Sequence, residues 1–157
     1  MNLECGEKLT GKPCKGMKLV ASTQYNKQEL VREFFKLAEQ PWRDDCSEWP
    51  SKEMVDLTWE SIIGEVMELR IALQNKDIVE VADAFADIMY FLYGGALRFG
   101  FSLDPIFMEV HRSNMTKKWP EGTPREVSHN HKGKLLKPPS YSLPNLKPLL
   151  QKEGFNG

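Results

Sequence analysis

From Val81 to Leu97 the chain is apolar on nearly every side, and the first cation after Lys76 is Arg98. Two acids, Asp83 and Asp87, stand inside this stretch, and Glu80 comes just before it. Steps of three and four residues put all three carboxylates on one face of a helix. A helix that is apolar all round is expected to be buried. A buried carboxylate without a partner is unstable until it is neutralised or protonated. The segment therefore demands a positive charge that it does not itself contain.

The preceding segment raises the same demand. Ser51 is placed to cap a helix with Glu53 in its first turn. Val55, Trp59, Ile62, Ile63, Val66, Leu69 and Leu73 form its apolar stripe. Glu65 and Glu68 are one turn apart at the border of that stripe, and the residues four further on are Leu69 and Ala72, not cations. A turn at Asn75-Lys76 follows, and Asp77 is placed to cap the next helix with Glu80 in the capping-box position. Glu80 therefore has a structural reading beside a ligand reading. Carboxylates are hard oxygen donors, which suit Mg²⁺ or Mn²⁺ better than Zn²⁺ or Cu²⁺. Such ions favour phosphate co-ligands, and the chemistry so implied is attack of water on a phosphoanhydride.

The remaining segments read as helices around this pair. Asn26 and Glu29 resemble a capping box, and Leu30, Val31, Phe34, Phe35, Leu37 and Ala38 recur at helical spacing up to Pro41. Gln24, Gln28, Arg32 and Glu33 fall off that stripe and read as a solvated face. The loop 40–50 carries Trp42 and Trp49, which either cap the core or stack on a base. Gly94-Gly95 permits close packing, and Gly100 marks the end of the long apolar helix. Asp104-Pro105 is expected to open a fourth helix, with Asp104 as its cap. That helix runs into His111-Arg112-Ser113-Asn114-Met115-Thr116-Lys117, donors and cations suited to phosphate and sugar. The expected organisation is a polar arm over 1–21, an all-α domain of four to five helices over 22–120, and an irregular tail over 121–157. That tail would serve as a lid or subunit clasp, with a last turn of helix near Leu146–Lys152.

The chain has 157 residues and a net charge of -1, so no global field draws it to nucleic acid or to a membrane. Three cysteines without a CxxC pair fit a reducing cytoplasm, and no secretory or membrane-spanning stretch is visible. Glu126–His129 is the only Glu-x-x-His and lies in the tail, which argues against a di-iron bundle. His129 and His131 alone are too few ligands for zinc.

Glu65-x-x-Glu68, eleven residues, then Glu80-x-x-Asp83 resembles the ExxE…ExxD signature of the all-α nucleoside triphosphate pyrophosphohydrolases, the superfamily of MazG, dimeric dUTPases and phosphoribosyl-ATP pyrophosphohydrolase. The nearer likeness is to small single-domain MazG-like proteins, through Glu80–Tyr90, Glu109–Lys117 and Lys137-Pro-Pro-Ser-Tyr141, and it spans Val31 to Leu150. The resemblance implies hydrolysis between the α and β phosphates, with monophosphate and pyrophosphate as products and Mg²⁺ or Mn²⁺ as cofactor. It implies Glu65, Glu68, Glu80 and Asp83 as metal ligands, Glu65 and Glu68 being central to catalysis, and Asn114 and Lys117 as phosphate or sugar contacts. Arg112 and Trp42 are further substrate-binding candidates, Tyr141 is a residue that closes over the site, and the assembly is a homodimer or homotetramer. The linker is short for the signature, and the acid before Ile88-Met89-Tyr90 is Asp87, so Asp83 and Asp87 compete as the last ligand. dUTP and guanine nucleotides are both open as substrates. The alternative is a non-catalytic helical oligomerisation or nucleotide-binding module, whose acids would pair with lysines of a partner.

Overall fold

The computed structural model describes residues 25–157. The arm over 1–21, Ser22, Thr23 and Gln24 lie outside the described residues. Six helices follow: α1 Lys27–Leu37, α2 Lys52–Asn75, α3 Ile78–Phe99, α4 Leu103–Met115, α5 Arg125–Ser128 and α6 Lys147–Lys152. Among the described residues there is no strand, only one antiparallel bridge between His129 and Leu135. The fold is all-α, as the hydrophobic periodicity predicts.

The helix boundaries follow local chemistry. Asn26 accepts from the backbone of Glu29 at the start of α1, and Ser51 accepts from Met54 at the start of α2. Lys76 ends α2 in the left-handed region, and Asp77 opens α3 by accepting from Val79 and Glu80. The α2–α3 hairpin is therefore turned within two residues. It packs antiparallel and so closely that a Cβ at Gly95 would stand 2.9 Å from Thr58 Cγ2.

The core lies where α1 crosses the C-terminal half of α3. Val31, Phe35, Tyr93 and Leu97 are buried there, with Trp42, Tyr90 and Leu103 packed against them. Gln28 departs from its expected place on a solvated face. It is buried, its Nε2 donates to the Phe101 carbonyl at 2.9 Å, and its Oε1 accepts from the Leu103 backbone at 2.9 Å. The amide thereby satisfies the backbone of the tight α3–α4 turn, which would otherwise bury unpaired polar groups. Asp104 also departs from expectation. Ser102 holds the N-cap position of α4, while Asp104 sits in the first turn and accepts from the Tyr93 hydroxyl at 2.6 Å. Burial and that bond push the Tyr93 hydroxyl up to about 12.

The long apolar helix is buried only in part. Tyr93 to Arg98 are buried, whereas Ile78, Phe85, Met89 and Leu92 are exposed along one stripe of α3. A helix this apolar is covered on every side only where enough chain surrounds it. Within one chain α1 covers only one end of α3, and α4 is anchored at its start without lying along α2 or α3.

The loop between α1 and α2 ties the chain together. Arg43 donates its backbone N–H to the Leu97 carbonyl, and Cys46 donates to the carbonyl of Glu153 beyond α6. Gly100 has φ +77°, and a Cβ there would stand 1.8 Å from the Asp45 carbonyl oxygen. Both the backbone angle and the contact require glycine. Gly100→Ala is expected to destabilise the protein by about 2–4 kcal/mol, read as a lowered denaturant midpoint; an unchanged midpoint would refute this close contact.

Candidate active site

The α2–α3 hairpin brings acids from both helices together. Antiparallel pairing sets the middle of α2 beside the middle of α3. The Glu65 carboxyl is pushed up from its ordinary value, first by burial, then by the charges of Glu68, Asp87 and Asp83 in that order. One of its oxygens, Oε2, is buried and has no hydrogen-bond partner. These four carboxylates thus share one field between two helices. Glu68 and Asp83 are exposed, and Asp87 is half-buried.

Glu80 stands apart from the four. It is exposed, and its charge is not among those acting on Glu65. Its capping box is not completed either, because the Asp77 N–H donates to the Ala72 carbonyl rather than to Glu80. Of the two competing aspartates, Asp87 acts on Glu65 more strongly than Asp83 does. Among the described residues, no three carboxylates already converge tightly enough to enclose an ion. Acids bearing like charge at this separation repel, and a cation would draw them in. An orphaned buried carboxylate oxygen, with Glu68, Asp87 and Asp83 acting on the same group, is the donor chemistry that suits a divalent ion of the Mg²⁺ or Mn²⁺ type.

The second group of candidates gathers at the end of α4 and the tail. Lys117 Nζ donates to Asn114 Oδ1 at 2.7 Å, and it lies 5.7 Å from the centre of the Tyr141 ring. Lys137 Nζ lies 4.6 Å from the same ring centre. No helical periodicity links Lys137 to Lys117, and the signal the sequence carries is its nearness to Tyr141 across Pro138 and Pro139. The Tyr141 hydroxyl is 3.0 Å from the buried Ser113 hydroxyl, which also meets the Ser142 carbonyl at 2.8 Å.

Arg112 is engaged with the protein itself. It forms two 2.8 Å contacts with Glu109, and its Nη2 reaches the Leu143 carbonyl at 3.1 Å. Glu109 in turn accepts from the backbone of Asn145 at 2.7 Å. The pair holds the tail against α4. Of the two loop tryptophans, Trp42 packs on the core cluster and Trp49 is exposed, edge-on to Phe99 at 5.4 Å.

The Glu109 carboxyl is held down at about 2, first by the Arg112 bond and then by the Asn145 backbone. A depressed acid contributes stability that is present above its unfolded value and is lost as pH falls through its folded value. The clasp is therefore expected to loosen as pH drops from 4.5 towards about 2. Glu109→Gln should remove this acid limb from the melting profile; a profile unchanged by the substitution would deny the clasp.

A family model described as Phosphoribosyl-ATP pyrophosphohydrolase matches residues 31–114, from the buried Val31 to Asn114. A search of curated proteins finds no match. The matched span contains all five acids, with Arg112 and Asn114, and stops short of Lys117, Lys137 and Tyr141.

Proposed function

The chain belongs to the phosphoribosyl-ATP pyrophosphohydrolase family, within the MazG-like all-α superfamily, and from that premise we propose that it hydrolyses a nucleoside triphosphate between the α and β phosphates. The products are the monophosphate and pyrophosphate. The observation that carries this reading is the buried, unpartnered Oε2 of Glu65 amid Glu68, Asp83 and Asp87. The four carboxylates would hold Mg²⁺ or Mn²⁺, with Asp87 rather than Asp83 as the closer α3 ligand and Glu80 at the rim. When bound, the ion supplies charge neutralisation at the phosphate oxygens.

The chain's own groups account for the rest of the step. A water oxygen attacks the α-phosphorus, and its proton passes to a Glu65 carboxylate oxygen. The bond from that phosphorus to the α–β bridging oxygen breaks, and pyrophosphate leaves with the electron pair. A Glu65 oxygen that the ion leaves free would be the acceptor for that proton. The exposed Trp49 is available to stack on a base, whereas Trp42 packs on the core cluster. Arg112 acts as a positioning residue by holding the tail.

Triphosphate hydrolysis by Glu65→Gln should fall about 10²–10⁴-fold, with Glu68→Gln similarly impaired and Asp87→Asn worse than Asp83→Asn. A chelator should abolish the activity, with helical content intact by circular dichroism. Full turnover in these variants, or indifference to the chelator, would favour the oligomerisation module instead.

The working unit we propose is a homodimer or homotetramer. Ile78, Phe85, Met89 and Leu92 line an exposed stripe of α3 on the side opposite the acids, and Trp59, Ile63, Val66, Met67 and Ile71 are exposed on α2. Apolar stripes on adjacent long helices suit a second copy related by a twofold axis. Phe85→Glu should shift the mass in light scattering towards the single chain; an unaltered mass would remove this face from the assembly.

A further inference from the structure

A cavity of about 520 Å³ opens at the hairpin after α5, lined by Arg125, Glu126, His129, Asn130, His131 and Gly133. It lies beyond the span that the family model matches, and it shares no lining residue with the α2–α3 acids. A volume of this order holds a small ligand. In the hollow beside the tail clasp, Glu109 and Arg112 neutralise each other at 2.8 Å. Here the charges are left over. Neither Arg125 nor Glu126 forms an ion pair among the described residues.

The backbone fixes this wall before any ligand arrives. Asn130 Oδ1 accepts from the N–H of Lys132 at 3.0 Å and of Lys134 at 2.9 Å. The Asn130 N–H donates to the Lys134 carbonyl at 2.9 Å, and Gly133 donates to the Asn130 carbonyl at 2.9 Å. The His129–Leu135 bridge and a 2.8 Å bond from the Leu136 N–H to the Ser128 carbonyl close the base of the hairpin. Gly133 turns it with φ +77°, and a Cβ there would stand 3.6 Å from Arg125 Nη2, so the guanidinium lies against the turn. The buried Ser128 places its hydroxyl oxygen 2.9 Å from His129 Nδ1, which leaves Nε2 as the ring nitrogen open to a ligand. A wall already ordered lowers the entropic cost of binding.

The groups it offers are mostly donors. Asn130 has committed its side-chain oxygen to the hairpin and keeps its two N–H groups. Arg125 carries a planar fork that matches two oxygens of one phosphate. Each imidazole adds a donor. Lys132 and Lys134 flank Gly133, and residues 111–157 carry 9 basic and 3 acidic side chains. The local field therefore favours an anion. A cation would have to settle beside Arg125, and among the described residues no three His, Cys, Asp or Glu side chains converge to hold one. A phosphate presents several acceptor oxygens to this donor set, and the volume leaves room for a group that carries it.

We propose that Arg125, His129, Asn130 and His131 form a binding site for a phosphate dianion, free or as the monoester of a small molecule. The site goes beyond the hydrolytic reading and does not depend on it.

The test is two-dimensional NMR of the imidazoles of the full chain, titrated with inorganic phosphate or with ribose 5-phosphate at constant, neutral pH. A chelator is present, so that no ion held by the α2–α3 acids recruits phosphate. The chain has three histidines, and the third, His111 on α4, serves as the internal reference. His129 and His131 should shift saturably while His111 stays still. Tighter binding of ribose 5-phosphate would make the monoester the ligand, and equal binding would make it free phosphate. Arg125→Gln should weaken binding about tenfold or more. Glu126→Gln should tighten it about threefold, because a carboxylate facing the anion is gone. A gain of that kind cannot come from a damaged fold. Shifts that do not saturate, or that chloride reproduces at matched ionic strength, overturn the site. So does weaker phosphate binding by Glu126→Gln, or saturation of the two rings by Zn²⁺ where phosphate moves neither.

Discussion

Like charge crowded between two apolar helices is the constraint on which this structure turns. The Glu65 carboxyl on α2 feels the charges of Glu68 on its own helix and of Asp87 and Asp83 on α3. The pairing of α2 with α3 sets those charges side by side, because the turn between them is only two residues long and Gly95 lets Thr58 approach closely. The hydrophobic contact that stabilises the hairpin is therefore the contact that confines the acids. In such a place a carboxylate either takes up a proton or shares a cation, and only the ionised form can then take a proton from water.

A second buried charge shows the other way a protein can tolerate the problem. Arg98 is 2 % exposed, and its Nε and Nη1 have no hydrogen-bond partner. Its guanidinium lies 4.7 Å from the Phe35 ring centre, and burial lowers its affinity for its proton. A weakly hydrated, delocalised cation stacked on an aromatic face is easier to bury than a carboxylate. Arg98 sits on the same helix as the acids but 11 positions beyond Asp87, so it belongs to the core and not to the acidic field. About 1.5 Å of rise per residue separates the two by roughly 16 Å.

Much of this was legible in the sequence because it is local. Asn26, Ser51, Asp77 and Gly100 mark helix ends through groups within four residues of themselves, and each does so in the structure. What was not legible depends on distant partners. Gln28 is buried because its amide meets Phe101 and Leu103, 73 and 75 residues away. Asp104 lies in the first turn of the helix rather than at its cap, and its partner is the hydroxyl of Tyr93 on another helix. The exposure of Phe85 and Met89 reflects how much chain is available to cover them, which periodicity does not report. For the site, helical spacing joined Asp83 to Asp87, but only the packing of α2 on α3 separated both from Glu80. Lys137 and Lys117 are neighbours through the folding of the tail, not through any shared helix.

The return of the tail to the loop after α1 has a kinetic meaning. Cys46 lies beside the carbonyl of Glu153, a contact that spans 107 residues. Closing so long a loop gains nothing until both ends are already ordered, and its entropic cost rises with the logarithm of its length. The α1–α3 body is thus expected to assemble first and the tail to dock last. On opening, the order reverses, so the segment carrying Lys137 and Tyr141 detaches and re-docks as one cooperative unit while the acid-bearing hairpin stays closed.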